Sequence, residues 1–247
     1  MYDSRLLLRT LAHITSRPVP AAENQACENV ATVMKASITP NHRTSGIART
    51  EIRQTIANFL EQSRYQWGTT PRNAELRAEI AAEARRWDSC GNEATIDKIV
   101  ECACDFIESA YGHLPRAHQK YVALYTACIL YVDDLGGERL APVQQFAARL
   151  TRGAPQLTPA LDALAALLRD AHEMWPPIGA DAIVSGTVDA VTGMYIEYTT
   201  KEMDISPHAT WWPTYLRTRT GINAPFIHFI FTKDFRPTPE SYLQMLP

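Results

Sequence analysis

One stretch constrains this chain more than any other. Read as a helix over 116–134, it puts Val122, Leu124, Ala127, Cys128, Ile129, Leu130 and Val132 around the whole circumference. No polar side is left, and a helix that is apolar all round is buried all round. Other helices must therefore enclose it. The uncharged runs 121–132 and 220–232 both fall short of the roughly 18 residues needed to cross a bilayer, so the enclosure is protein. Gly136-Gly137 stops the helix. A chain of 247 residues can bury such a rod in a core of its own.

The rest of the pattern supplies the enclosing helices. Helical stretches are expected over 3–16 and 23–37, with a break at 40–46, and again over 47–63, where Ile52, Ile56, Phe59 and Leu60 share a face. Thr70-Pro71 predicts a helix start, Thr as N-cap and Pro in the first turn, running to about Trp87. Asn92 or Thr95 caps the next, with Ile96, Ile99, Val100, Ala103, Phe106 and Ile107 on its inner face. Asp97, Glu101, Asp105 and Glu108 lie opposite and read as a solvated face rather than a metal-binding ridge. Further helices are expected over 141–150, 159–175, 181–201 (interrupted by Gly186 and Gly193), 211–222 and 224–231, with Pro176-Pro177-Ile178-Gly179 as a firm break and another element beginning at Pro237. No run alternates with period two, and Gly is sparse at 11. The expected fold class is all-α, a helical bundle forming a single domain over 1–247.

Charge and cysteine content exclude several function classes. Lys+Arg is 24 against Asp+Glu 27, a net charge of −3, which lacks the basic excess of an electrostatic nucleic-acid binder. Leu6-Leu7-Leu8 is too short for a signal-peptide core. The five cysteines, Cys27, Cys90, Cys102, Cys104 and Cys128, are odd in number and have no second pair to complete a metal site. They read as thiols in a reducing cytoplasm. His172-Glu173 lacks the second His of a zinc-protease helix. No phosphate-cradling Gly-rich loop or Gly-x-Ser-x-Gly elbow occurs.

The chemistry lies at the end of the apolar rod, in Tyr131-Val-Asp133-Asp134-Leu-Gly-Gly-Glu138. A helix C-terminus carries partial negative charge and favours cations. Two adjacent Asp there oppose the dipole and each other: at ~5 Å and an effective dielectric of ~20 their repulsion is roughly 3 kcal/mol. Something positive compensates, either a basic side chain or a hard divalent cation. Mg²⁺ typically takes one or two carboxylates together with water and phosphate oxygens. A solvated helix end is the plain alternative; the apolar run before the pair, and Glu138 one turn beyond Asp134, favour the metal.

At this point the sequence resembles a family. An Asp-Asp pair followed by an acid at the end of a buried helix looks like the aspartate-rich motif of class I terpene cyclases, and is most similar to the fungal trichodiene synthase-like group. Three stretches carry the resemblance: Tyr125 to Asp134; Thr187-Val-Asp189-Ala-Val-Thr-Gly193-Met-Tyr195-Ile196-Glu197; and Trp212-Pro-Thr-Tyr215-Leu216-Arg217-Thr-Arg219-Thr-Gly221. Their order and spacing also fit. The resemblance implies a class I terpenoid synthase-like bundle and Mg²⁺-dependent ionisation and cyclisation of a prenyl diphosphate, farnesyl diphosphate for a sesquiterpene product. It implies Asp133 as metal ligand and Asp134 as ligand or holder of a basic partner, with Glu138 as third acid and Glu197 beside the metals, through water or as an ordinary helix-end acid. Arg217 would bind the diphosphate, and Arg219 is its open alternative. Tyr125, Tyr131, Tyr195, Trp211, Trp212, Phe226 and Phe229 are candidates for an aromatic cavity.

One part of the family pattern does not occur in these residues. The second metal motif, Asn-Asp-x-x-Ser-x-x-x-Glu, sets three oxygen ligands on one helix face at i, i+4 and i+8, and no Asn of this sequence opens such a frame. The 181–201 helix has the spacing in Asp189, Gly193 and Glu197 but no middle ligand. The expectation is a C-terminally incomplete cyclase, impaired or inactive as it stands, with exposed apolar faces that favour self-association as a homodimer. The rival is a non-catalytic helical binding or scaffold protein derived from a cyclase. A prenyl-chain elongating enzyme fits less well, because such enzymes carry two Asp-rich motifs and only one Asp-Asp pair occurs in this chain.

Overall fold

The structure, a computed structural model, describes residues 46–64, 71–87, 93–135, 137, 140–235, 238 and 242–245. The helices expected over 3–16 and 23–37 lie outside them, as do Cys27, Cys90 and Glu138. The described residues fall into two compact units. One contains helix α1, Gly46–Gln62. The other, from Pro71 onward, contains α2 (Ala74–Ala84), α3 (Glu93–Ala110), α4 (Arg116–Leu135), α5 (Leu140–Thr151), α6 (Pro159–Met174), α7 (Pro177–Thr199), α8 (Trp212–Thr220) and α9 (Asn223–His228). All regular structure among the described residues is helical, and none of these helices is long and apolar enough to cross a membrane. Of the element expected to begin at Pro237, the described residues include a short 3₁₀ turn over Leu243–Met245.

Helix α4 is the rod that the sequence requires. From Tyr121 to Val132 every side chain is buried except Leu124 and Tyr131, which are half-buried. It packs on α2, α3 and α6. A second rod, α7, packs on α5, α6, α8 and α9. The two rods meet at two places and run in the same direction. Tyr125 of α4 donates to the Thr187 hydroxyl of α7 (2.7 Å), which in turn donates to the Ile183 carbonyl. One end further on, Tyr198 of α7 reaches the last turn of α4. Between them lies an aromatic cluster of Tyr121, Tyr125, Trp175, Phe226 and Phe229, with ring centroids 4.6–5.9 Å apart. The Tyr111 hydroxyl and the Trp175 indole donate to the carbonyls of Phe226 and Phe229 and so pin α9 in place.

Three boundary expectations are corrected. Helix α2 is capped by Asn73, whose Oδ1 accepts from the Leu76 N–H, and not by Thr70, so Pro71 lies before the helix. The Pro176-Pro177 break is a helix start: Pro177 occupies the first turn of α7, where a missing N–H costs nothing. Gly186 and Gly193 do not interrupt α7. They admit its neighbours: a Cβ on Gly186 would sit 2.7 Å from Pro225 Cδ, and one on Gly193 2.8 Å from Arg219 Cβ. Five hydroxyls along α7 are satisfied inside the helix, because Ser185, Thr187, Thr192, Thr199 and Thr200 all donate to the carbonyl four residues back.

The acidic face of α3 is also more than a solvated surface. Asp97, Glu101 and Asp105 are exposed, yet Arg85 pairs with Asp97 (3.1 Å), Arg72 with Glu101 (3.4 Å) and Arg77 with Asp105. Glu108, with its side chain only 5% exposed, accepts from Arg77 (2.5 Å) and from the Asn73 N–H (2.7 Å), tying the start of α2 to α3. Arg77→Leu leaves the Glu108 charge buried and unpaired, so urea unfolding should show a loss of about 3–5 kcal/mol. The 65% exposed Arg72, replaced by Ala, should lose less than about 1 kcal/mol.

Candidate functional site

The last turn of α4 emerges from the core with Asp133 half-buried and Asp134 exposed. Four carbonyls at a helix C-terminus have no partner within the helix. Tyr198 supplies one for two of them, its hydroxyl shared between the carbonyls of Val132 (2.7 Å) and Asp133 (3.0 Å). Its ring lies against the turn that follows, where a Cβ added to Gly137 would sit 3.4 Å from a ring carbon. Burial, chiefly, and then the charges of Asp133, Glu197 and Asp134 push the Tyr198 phenol up, so it stays protonated and donating at neutral pH. Tyr198 thus joins the last turn of α4, which bears Asp133 and Asp134, to the last turn of α7, which bears Glu197.

Glu197 itself is exposed. Glu138 lies outside the described residues. Among the described residues no group of three or more His, Cys, Asp or Glu side chains is placed to hold a metal ion. The carboxylates on these two helix ends are oxygen donors of the hard type that Mg²⁺ selects.

The arginines lie elsewhere on α7's flank. Arg219 is half-buried on α8, ion-paired with Asp189 and placed over the Tyr215 ring at 4.9 Å. Asp189 stands eight residues, ~12 Å, back along α7 from Glu197. Arg217 is exposed on the same short helix. An open pocket of about 350 Å³ is lined by Asp189, Arg219, Trp211, Thr214, Tyr215 and Thr218. The α4 acids do not line it. Of the aromatic cavity candidates, Trp211, 77% exposed, faces this pocket, and Trp212 stacks on Tyr215 at 5.7 Å. Tyr131 and Tyr195 are half-buried, whereas Tyr125, Phe226 and Phe229 belong to the closed core.

Two residues of this region escape a reading by motif. Tyr198 follows Glu197 directly and was visible only as an aromatic at a helix end whose hydroxyl needs a partner. Asp189 carries the middle of the second stretch, and its partner lies 30 residues on, at Arg219.

Comparison with known proteins bears on this arrangement. A terpene synthase of Cochliobolus sativus is 29% identical over 131 residues, 51% of this chain and 39% of its own length. The alpha-cuprenene synthase of Coprinopsis cinerea is 27% identical over 212 residues, 80% of this chain and 61% of its own. The (E)-beta farnesene synthase of Metarhizium brunneum is 24% identical over 143 residues, covering 56% and 42%. Its homologues are fungal terpene synthases. No family model matches the chain. The matched regions span 39–61% of these three terpene synthases' lengths.

The packing of α8 on α7 at Gly193 carries the pocket wall. Gly193→Ala gains helix propensity of ~1 kcal/mol, yet its Cβ would press on Arg219 Cβ at 2.8 Å and on Thr220. A net destabilisation of about 1–2 kcal/mol is expected from this overpacking, read as a lower melting temperature.

Proposed function

We propose that the chain is a class I sesquiterpene cyclase-like protein, similar to the trichodiene synthase-like group, that engages farnesyl diphosphate with Mg²⁺ at the end of α4. The observation that supports this best is the Tyr198 hydroxyl on the last carbonyls of α4, which ties the helix end bearing Asp133 and Asp134 to the end of α7 bearing Glu197. The names of the relatives point to the same class of chemistry.

The donor set suits Mg²⁺ in the manner it commonly adopts, with one or two protein carboxylates and the remaining positions filled by water and phosphate oxygens. When bound, the ion would supply Lewis-acid neutralisation of the diphosphate leaving group. The chain's own residues do the rest. Asp133 and Asp134 would hold the cation, with Glu138 as the third acid of the motif and Glu197 nearby on the end of α7. Arg217 is the better diphosphate donor of the two arginines. Its guanidinium fork suits phosphate oxygens, while Arg219 already spends its charge on Asp189.

A second reading, a non-catalytic helical protein, is favoured by the lack of a closed three-ligand group among the described residues. Melting the purified protein with Mg²⁺ and inorganic pyrophosphate separates the two. A ligand at 100 times its Kd stabilises by ~2.7 kcal/mol, so a rise of several degrees is expected, lost in Asp133→Ala and reduced in Arg217→Ala. No rise in the unmodified protein would favour the scaffold.

A further inference from the structure

We propose that Tyr198 is the positioning residue of the acidic site, clamping the end of α4 that bears Asp133 and Asp134 to α7, the helix that bears Glu197. This rests on the reading of those acids as a Mg²⁺–diphosphate site.

The geometry brackets the Asp pair. On the near side the Tyr198 hydroxyl holds the carbonyls of Val132 and Asp133. On the far side its ring backs the turn at Gly137. Asp133 and Asp134 therefore lie between two contacts made by one side chain of α7, the helix that also bears Glu197. A helix end without such a hold frays through its last turn, and both acids lie in that turn. Donation to two terminal carbonyls also dampens the partial negative charge that the helix end directs at the carboxylates. Removing the hydroxyl should loosen the acids and raise local repulsion together. Groups that orient metal ligands from behind typically cost 10–100-fold in metal affinity when lost.

A matched control exists in the same fold. Tyr121 likewise gives its hydroxyl to a main-chain carbonyl, that of Leu167 (2.6 Å), on a part of α4 remote from the acids. Each Phe variant removes a part-buried hydrogen bond, so both should lower the melting temperature of the ligand-free protein. Only Tyr198→Phe should weaken the calorimetric Kd for inorganic pyrophosphate in saturating Mg²⁺, by about tenfold or more, while Tyr121→Phe leaves it unchanged. Gly137→Val, at an exposed turn, crowds the Tyr198 ring from outside the core and should weaken the same Kd without removing a buried group. If the unmodified protein binds pyrophosphate and both Tyr198→Phe and Gly137→Val bind it equally well, Tyr198 is structural only and the inference fails while the site reading stands. If the unmodified protein shows no Mg²⁺-dependent binding, the site reading fails and the inference with it.

Discussion

Sealing α4 on every side is the constraint on which the rest depends. With ten of the twelve side chains from Tyr121 to Val132 buried and the other two half-buried, the helix presents its charged groups only at its ends. The C-terminal end holds Asp133 and Asp134, where the helix dipole disfavours them. Such a pair is costly, and a protein that retains it must offset the cost locally. The Tyr198 hydroxyl provides part of the offset by capping two terminal carbonyls. The phenol suits this task because burial keeps it protonated, so it retains the proton it donates to the carbonyls.

The second rod, α7, gives the site its other half. It tolerates four packed neighbours because its polar groups are silent: hydroxyls bond back within the helix, and glycines occur where α8 and α9 press closest. The same helix then serves two levels. At one, Asp189 binds Arg219 beside an open pocket. At the other, ~12 Å along, Glu197 and Tyr198 meet the end of α4. A shift of α7 along its axis would move both levels together.

The helices were legible because one-sided burial imposes a 3.6-residue period, which α3 and α6 follow closely, while α4 stood out as an apolar run with no polar side. Their starts were less so. Thr70-Pro71 has the form of a cap and first turn, yet Asn73 wins because Glu108, 35 residues away, holds its N–H. Pro176-Pro177 looks like a break when read locally and is a start when the buried stretch behind it is known. The acidic pair stood out since its charge opposes its position. Tyr198 did not, because its partners are main-chain carbonyls 65 and 66 residues earlier, and carbonyls leave no mark in a sequence. The pairing of α3's acids was hidden for a related reason: an arginine on another helix is indistinguishable from solvent in a periodicity argument.

The packed centre also bears on where an apolar substrate chain would lie. Tyr125, Phe226 and Phe229 were reasonable candidates for cavity walls, but they touch one another edge to face, with Tyr125 further fixed by Thr187. The space among them is filled, and opening it would cost the contacts that hold α9. Half-buried apolar residues of both rods pack against this core, Leu124 and Tyr131 seven apart on α4, Val184, Val188 and Tyr195 at helical spacing on α7. Tyr131 and Tyr195 lie within a turn of Asp133 and Glu197 respectively, so the half-buried edge of the core reaches the acidic helix ends while its centre stays closed.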